Sequence, residues 1–125
     1  MAVIIARSIL KKERKQSQMA DSDREVIIRA FEEGIGVSIK GESLPKGSRV
    51  LKVYASTVKG ARRIVYLVDV SSGDEFFLFY RSKNDSIGEN ISIKNLAFKN
   101  TLLNYLELLD ADIDRGEVDV YETKT

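Results

Sequence analysis

Between Arg49 and Arg81 the chain offers three runs of β-branched and aromatic residues separated only by short polar turns. A small antiparallel meander is the fold such a pattern builds. Arg49–Ala55 carries Val50, Leu51, Val53 and Tyr54, and Arg62–Val70 is rich in Ile, Val and Tyr. Glu75–Arg81 holds Phe76, Phe77, Leu78, Phe79 and Tyr80 in succession, which predicts a strand buried on both faces. Ser56–Ala61, with its Lys59-Gly60 pair, turns between the first two strands. Ser71-Ser72-Gly73-Asp74 is a hairpin signal between the last two.

Helices flank the meander. Ala2–Ala6 is apolar and reads either as a short strand or as the opening of the first helix. Arg7–Met19 is rich in Lys, Arg, Glu and Gln and has one narrow apolar edge, Ile9 and Leu10, so it is expected to be helical. Asp21, Ser22 and Asp23 are N-cap candidates for the next helix, and Ser22 stands at capping-box distance from Glu25. That helix presents Val26, Ile27, Ala30 and Phe31 and is expected to stop at Gly34. Gly34–Gly47 contains the only Pro and reads as loop with room for a short extended piece. After a polar loop, Ser82–Asn90, a helix over about Lys94–Asp110 is predicted to bury Leu96, Phe98, Leu102, Leu103, Tyr105, Leu106 and Leu109. Arg115-Gly116 ends it, and Glu117–Tyr121 reads as a terminal strand or an ordered tail. The expected class is α+β, with N-terminal helices and a C-terminal helix packed on a curved antiparallel sheet.

At 125 residues, of which 43% are hydrophobic, the chain fits one domain spanning 1–125 with a core of its own. It has no His and no Cys, which excludes a Ser-His-Asp triad, a Cys-His pair and a Cys/His zinc site. Acid–base chemistry is left to Lys, Tyr, Arg, Asp and Glu. No cofactor or metal is expected. The apolar start is too short to span a bilayer and precedes the basic cluster instead of following it, so a cytoplasmic location without membrane contact is expected.

The near-neutral net charge of +1 conceals a block structure. Residues 1–18 carry a net +4, residues 40–63 a net +6 and residues 104–125 a net −5. Such blocks either solvate the surface or attract an anionic partner. In the Lys11-Lys12-Glu13-Arg14-Lys15 run the plainer reading is an exposed helix face. Asp110, Asp112 and Asp114 lack the spacing and glycine of a calcium loop and read as a solvated helix end.

The meander concentrates Lys52, Tyr54, Lys59, Arg62, Arg63, Tyr66, Tyr80, Arg81 and Lys83. Strand alternation sends Lys52 and Tyr54 to one face and Leu51 and Val53 to the other. It also sends Arg62 and Arg63 to opposite faces, so only one of them can join a site on a given face. Cations beside tyrosines suit a phosphodiester chain, the cations meeting phosphates and the rings stacking on bases. The alternative for Tyr54, Tyr66 and Tyr80 is a half-buried place in the strands.

In order and spacing these segments resemble the RelE/ParE toxin superfamily of bacterial toxin–antitoxin systems, most closely its HigB-like branch. The likeness runs from the basic helix Ile9–Lys15, the Met19-Ala20-Asp21 turn and the helix closing at Glu33-Gly34 into Leu51-Lys52-Val53-Tyr54-Ala55. It continues through residues 58–66, with their Lys-Gly and Arg signature, to residues 76–85 with Asn90-Ile91, and on to Arg115-Gly116-Glu117-Val118. The resemblance implies a messenger-RNA endoribonuclease acting in the ribosomal A site. It implies a cognate antitoxin as inhibitor, and operator DNA bound only through that antitoxin. By position it implies Arg63 and Arg81 as phosphate stabilisers, Lys52 as base or phosphate contact, and Tyr80 or Tyr54 in stacking or proton transfer. It implies Arg62, Lys59 and Lys83 as further RNA contacts. The 2′-hydroxyl of the message supplies the nucleophile, so cations preorganised at the phosphate can carry much of the catalysis. A gyrase-targeting toxin on the same fold and a non-catalytic nucleic-acid-binding module are the alternatives.

Overall fold

The computed structural model describes residues 1–33, 36–39 and 44–122, apart from the side chains of Phe31 and Glu33. The expected helix stop at Gly34, the Phe31 side chain and the basic Lys40 lie outside the described residues. The elements follow the order β1 (Ala2–Ala6), α1 (Arg7–Ser17), α2 (Asp21–Glu33), β2 (Gly36–Ile39), β3 (Ser48–Thr57), β4 (Gly60–Asp69), β5 (Glu75–Ser82), α3 (Leu96–Arg115) and β6 (Val118–Glu122). The class is α+β, as expected, with the meander β3–β4–β5 at its centre.

The sheet is larger than expected and is not purely antiparallel. Its six strands lie in the order β2-β3-β4-β5-β1-β6, and β1 runs parallel to β5. The reason lies in Ala2–Ala6: Val3, Ile5 and Ala6 are buried and Ile4 is half-buried, so this run needs strands on both sides and layers on both faces. It finds β5 on one side and β6 on the other, with Val3 opposite both Glu75 and Tyr121. The stretch after Gly34 contributes the short edge strand β2, paired with β3 from Gly36–Val53 to Ile39–Val50.

A bulge sets which side chains of β5 face which layer. Val65 pairs with Phe79 and Tyr66 with Phe77, which leaves Leu78 without a counterpart on β4. Phe77 and Phe79, two residues apart, therefore point to opposite faces. On one face Phe79 meets α3, its ring centroid 5.2 Å from Phe98 and 5.0 Å from Tyr105. On the other face Tyr66 reaches α2 and donates its hydroxyl to the Ile27 carbonyl at 2.5 Å.

The helices depart from expectation in their caps and in their buried stripes. In α2 it is Asp23, not a Ser22–Glu25 box, that reaches back to the Ala20 amide at 2.7 Å, while Glu25 pairs with Arg29 at the surface. The buried stripe of α3 is Phe98, Leu102, Tyr105, Leu109 and Asp112, a steady helical spacing that leaves Leu96 and Leu103 exposed. Asp112 is not at a solvated helix end. Its carboxylate accepts from the Ser8 amide at 2.8 Å and the Ser8 hydroxyl at 2.9 Å, so it caps the start of α1, whose own N-cap residue Ala6 has no capping side chain. Gly116, at φ 69°, closes α3 in the left-handed conformation and turns the chain into β6.

One buried carboxyl works against the fold. Glu75 is 1% exposed, and its Oε2 has no hydrogen-bond partner. Burial, then the neighbouring charges of Glu32 and Asp74, push its pKa from 4.5 up to about 7. Between those two values the folded protein keeps a proton that the unfolded chain has lost. The Glu75 contribution is thus full below pH 4.5, falls as pH rises and is lost above about 7. Urea midpoints measured across this range should decline with rising pH in the wild type, and Glu75→Gln should flatten the decline. An equal slope in both would show that another group controls it.

Candidate nucleic-acid interface

Residues directly opposite in an antiparallel pair share a face. Arg63 of β4 lies opposite Tyr54 of β3 and opposite Arg81 of β5, so these three and Lys52 occupy the face that carries α3. Lys52 is half-buried and Tyr54 is 50% exposed. The Lys52 Nζ stands 5.3 Å from the centroid of the Tyr54 ring, and the Arg63 guanidinium stands 5.5 Å from it. Two cations thus share one half-exposed aromatic ring, an arrangement that holds both side chains near a stacking surface. The alternation expected on β3 holds, since Leu51 and Val53 are buried on the opposite side. Tyr54 also borders a groove of about 490 Å³ between α2 and the end of β3, where Glu25, Arg29 and Ser56 supply the polar lining.

Arg62 points to the other face, with its guanidinium 5.9 Å from the Tyr80 ring centroid. Tyr80 is 1% exposed, and its hydroxyl donates to Asp23 at 2.6 Å. Burial, then that hydrogen bond and the Asp23 charge, raise the Tyr80 pKa well above the ordinary phenol value. Burial alone would raise the Asp23 pKa, but the Tyr80 and Ala20 hydrogen bonds bring it below the ordinary carboxylate value. Of the three meander tyrosines only Tyr54 keeps its ring at the surface, and Tyr66 and Tyr80 are core. Lys59, in the β3–β4 turn, and Lys83, just past β5, are exposed at the margins.

Arg81 shares a face with Arg63 yet is buried. Glu13 of α1 accepts from its Nε at 2.9 Å and its Nη2 at 2.7 Å, and Asp85 accepts from its Nη1 at 3.1 Å. Tyr105 donates to the second Glu13 oxygen at 2.7 Å. Burial by itself would lower the Arg81 pKa, but the hydrogen bonds and charge of Glu13, with Asp85, raise it. The Arg81 charge is therefore compensated from within. Glu13 is itself a correction to the exposed basic helix face: Lys11, Lys12 and Lys15 are exposed, but Glu13 is 0% exposed.

The structure thus brings together Lys52, Tyr54 and Arg63, and separates them from Tyr80 and Arg62. The sequence alone does not mark Glu13, Asp23, Asp85 or Tyr105 as partners of the meander side chains; Asp23 reads there as an N-cap candidate and Tyr105 as core. A signal for Glu13 was present, as the single acid within the basic run of α1. Among the described residues, no three His, Cys, Asp or Glu converge as a metal-binding group, and no helix is long and apolar enough to cross a membrane. Compared with protein-family models, with curated proteins and with solved structures, the chain gives no match.

Removing Glu13 leaves a buried guanidinium with half its partners. Glu13→Ala should therefore cost about 3–5 kcal/mol in urea unfolding, whereas the double variant Glu13→Leu/Arg81→Met should regain only the part due to the unpaired guanidinium, because the Tyr80 amide and the Tyr105 hydroxyl still lack their acceptor. A double variant no more stable than Glu13→Ala would show that the pair is worth more than the apolar packing replacing it.

Proposed function

We propose that this chain is an RNA-directed toxin of the RelE/ParE kind that it resembles, cutting messenger RNA on the ribosome through cationic side chains. The observation that carries this reading is the convergence of Lys52 and Arg63 on the exposed Tyr54 ring. A base stacked on Tyr54 would set its phosphodiester beside both cations. Arg63 then stabilises the charge that develops on the phosphate. Lys52 neutralises it further or takes the 2′-hydroxyl proton; the 2′-oxygen bonds to phosphorus as the bond to the 5′-oxygen breaks, and that oxygen leaves as a hydroxyl on taking a proton from water, which requires no histidine. Lys59, Arg62 and Lys83 are outer contacts to the RNA backbone. Tyr80 and Arg81, whose polar ends are engaged by Asp23, Glu13 and Asp85, take a supporting place in this proposal instead of a direct catalytic one. A cognate antitoxin is the proposed inhibitor, with operator DNA reached only through it, and the proposed setting is the cytoplasm.

The internal pairing of Arg81 favours a second reading, a nucleic-acid-binding module that does not cut. It leaves fewer free cations at the face than a catalytic cluster of four side chains would have.

Brief induction in a bacterial host, followed by mapping of message 5′ ends, separates these readings. New ends at a fixed codon position that require translation are expected. Cleavage should fall about 10²- to 10³-fold in Arg63→Ala, the scale on which a preorganised charge-stabilising group acts. Intact messages together with growth arrest and DNA breaks would move the protein to the gyrase-targeting class. Salt-sensitive RNA binding without new ends would leave the binding module.

A further inference from the structure

Arg63 does not rest on Tyr54 alone. Its Nη1 donates to the main-chain carbonyl of Gly88, in the loop that follows β5. A guanidinium at a sheet surface has many rotamers open to it, and this bond removes most of them while leaving its other N–H groups available.

The carbonyl is itself held from behind. The Asp85 Oδ1 accepts from the Ile87 amide at 2.9 Å and the Gly88 amide at 3.0 Å, and the Asp85 amide donates to Ser82 at 3.2 Å. Ile87 is 6% exposed and anchors the turn in the core. Gly88 lies so close to the end of β5 that a Cβ would come 2.0 Å from the Ser82 carbonyl oxygen and 2.9 Å from the Arg81 Cβ. Asp85, in turn, is oriented by Arg81, whose Nη1 reaches its two oxygens at 3.1 and 3.3 Å, and Arg81 is fixed by Glu13.

We propose that Arg81 is a positioning residue: through Asp85 and the turn 85–88 it sets the Gly88 carbonyl that aims the Arg63 guanidinium at a phosphodiester beside Tyr54. Its role toward RNA rests on the function proposed above, whereas its role toward Arg63 does not. Arg81 suits this task better than direct contact with substrate. It is 3% exposed and faces two carboxylates, so a phosphate would have to displace both to reach it.

The test follows the Arg63 side chain directly. In protein labelled with 15N-arginine, the Arg63 Nε–Hε signal, assigned by its loss in Arg63→Lys, should show an ordered side chain in the wild type. Asp85→Ala should make it mobile, while Asp85→Asn, which keeps an oxygen for the Ile87 and Gly88 amides, should preserve most of the order. Gly88→Ala displaces the same carbonyl by its clash with the Ser82 carbonyl oxygen while keeping both charged groups, and should mobilise Arg63 as Asp85→Ala does. An Arg63 signal equally ordered in Asp85→Ala and Gly88→Ala, or in Arg81→Lys, which cannot span Glu13 and Asp85 at once, overturns the proposal. Affinity for a single-stranded RNA oligonucleotide, read by fluorescence anisotropy, is measured on the same samples. It should weaken on the order of tenfold in Asp85→Ala and recover in Asp85→Asn, as expected when a binding group is misplaced. If wild type and Arg63→Ala bind the oligonucleotide equally, the RNA reading fails, and the Arg63 signal still decides whether the turn positions it.

Discussion

Past Phe76 the sheet runs out of neighbour on one side of β5, because β1 pairs with it only at Val3–Glu75 and Ile4–Phe76 before the chain turns into α1. The helix fills that gap with side chains. The Glu13 carboxylate accepts the Tyr80 amide at 2.7 Å, and the Ser17 hydroxyl donates to the Tyr80 carbonyl at 2.5 Å, so a backbone position that would be orphaned in the core is satisfied on both sides. The same carboxylate binds Arg81 and Tyr105, and so ties α1, β5 and α3 at one point. Four donors on one buried carboxylate form a network that is sound when complete and costly when any member is lost.

The candidate site inherits its geometry from this arrangement. β4 lies between β3 and β5, so Arg63 has Tyr54 on one side and Arg81 on the other. The strand that carries the half-buried Arg63 is thereby braced by a strand whose own cation is locked inside. Exposure divides the work: Lys52 and Tyr54 meet solvent, while Tyr80 and Arg81 turn toward the helices. A side chain on β3 that meets solvent keeps its freedom, and one on the buried strand β5 finds partners before it finds a ligand.

Local pattern made the meander legible. The three strands, the Gly73 hairpin and the opposite facing of Arg62 and Arg63 all follow from period-two alternation and turn chemistry, which act within a few residues. The length of α3 and the burial of Phe98, Leu102, Tyr105 and Leu109 were mostly legible for the same reason. The parallel pairing of β1 was not, because nothing in Ala2–Ala6 states which strand it joins. Asp112 and Glu13 looked like solvated acids since their partners, Ser8 and Arg81, are remote in sequence. The fate of Arg81 turned on that same contact, so a cation that looked free was already engaged.

The place of β1 also bears on the order in which the molecule can be assembled. The stretch from β3 to β5 is a run of neighbouring hairpins, whose closure requires only short excursions of the chain. β1 is made before any of it, yet its flanking strands are β5 and β6, the latter beyond α3. During synthesis Val3 and Ile5 thus emerge as an apolar segment with no sheet to enter. They gain their second neighbour only once Gly116 has reversed the chain at the far end of α3. The strand that comes first in chain order is therefore the last whose surroundings are complete.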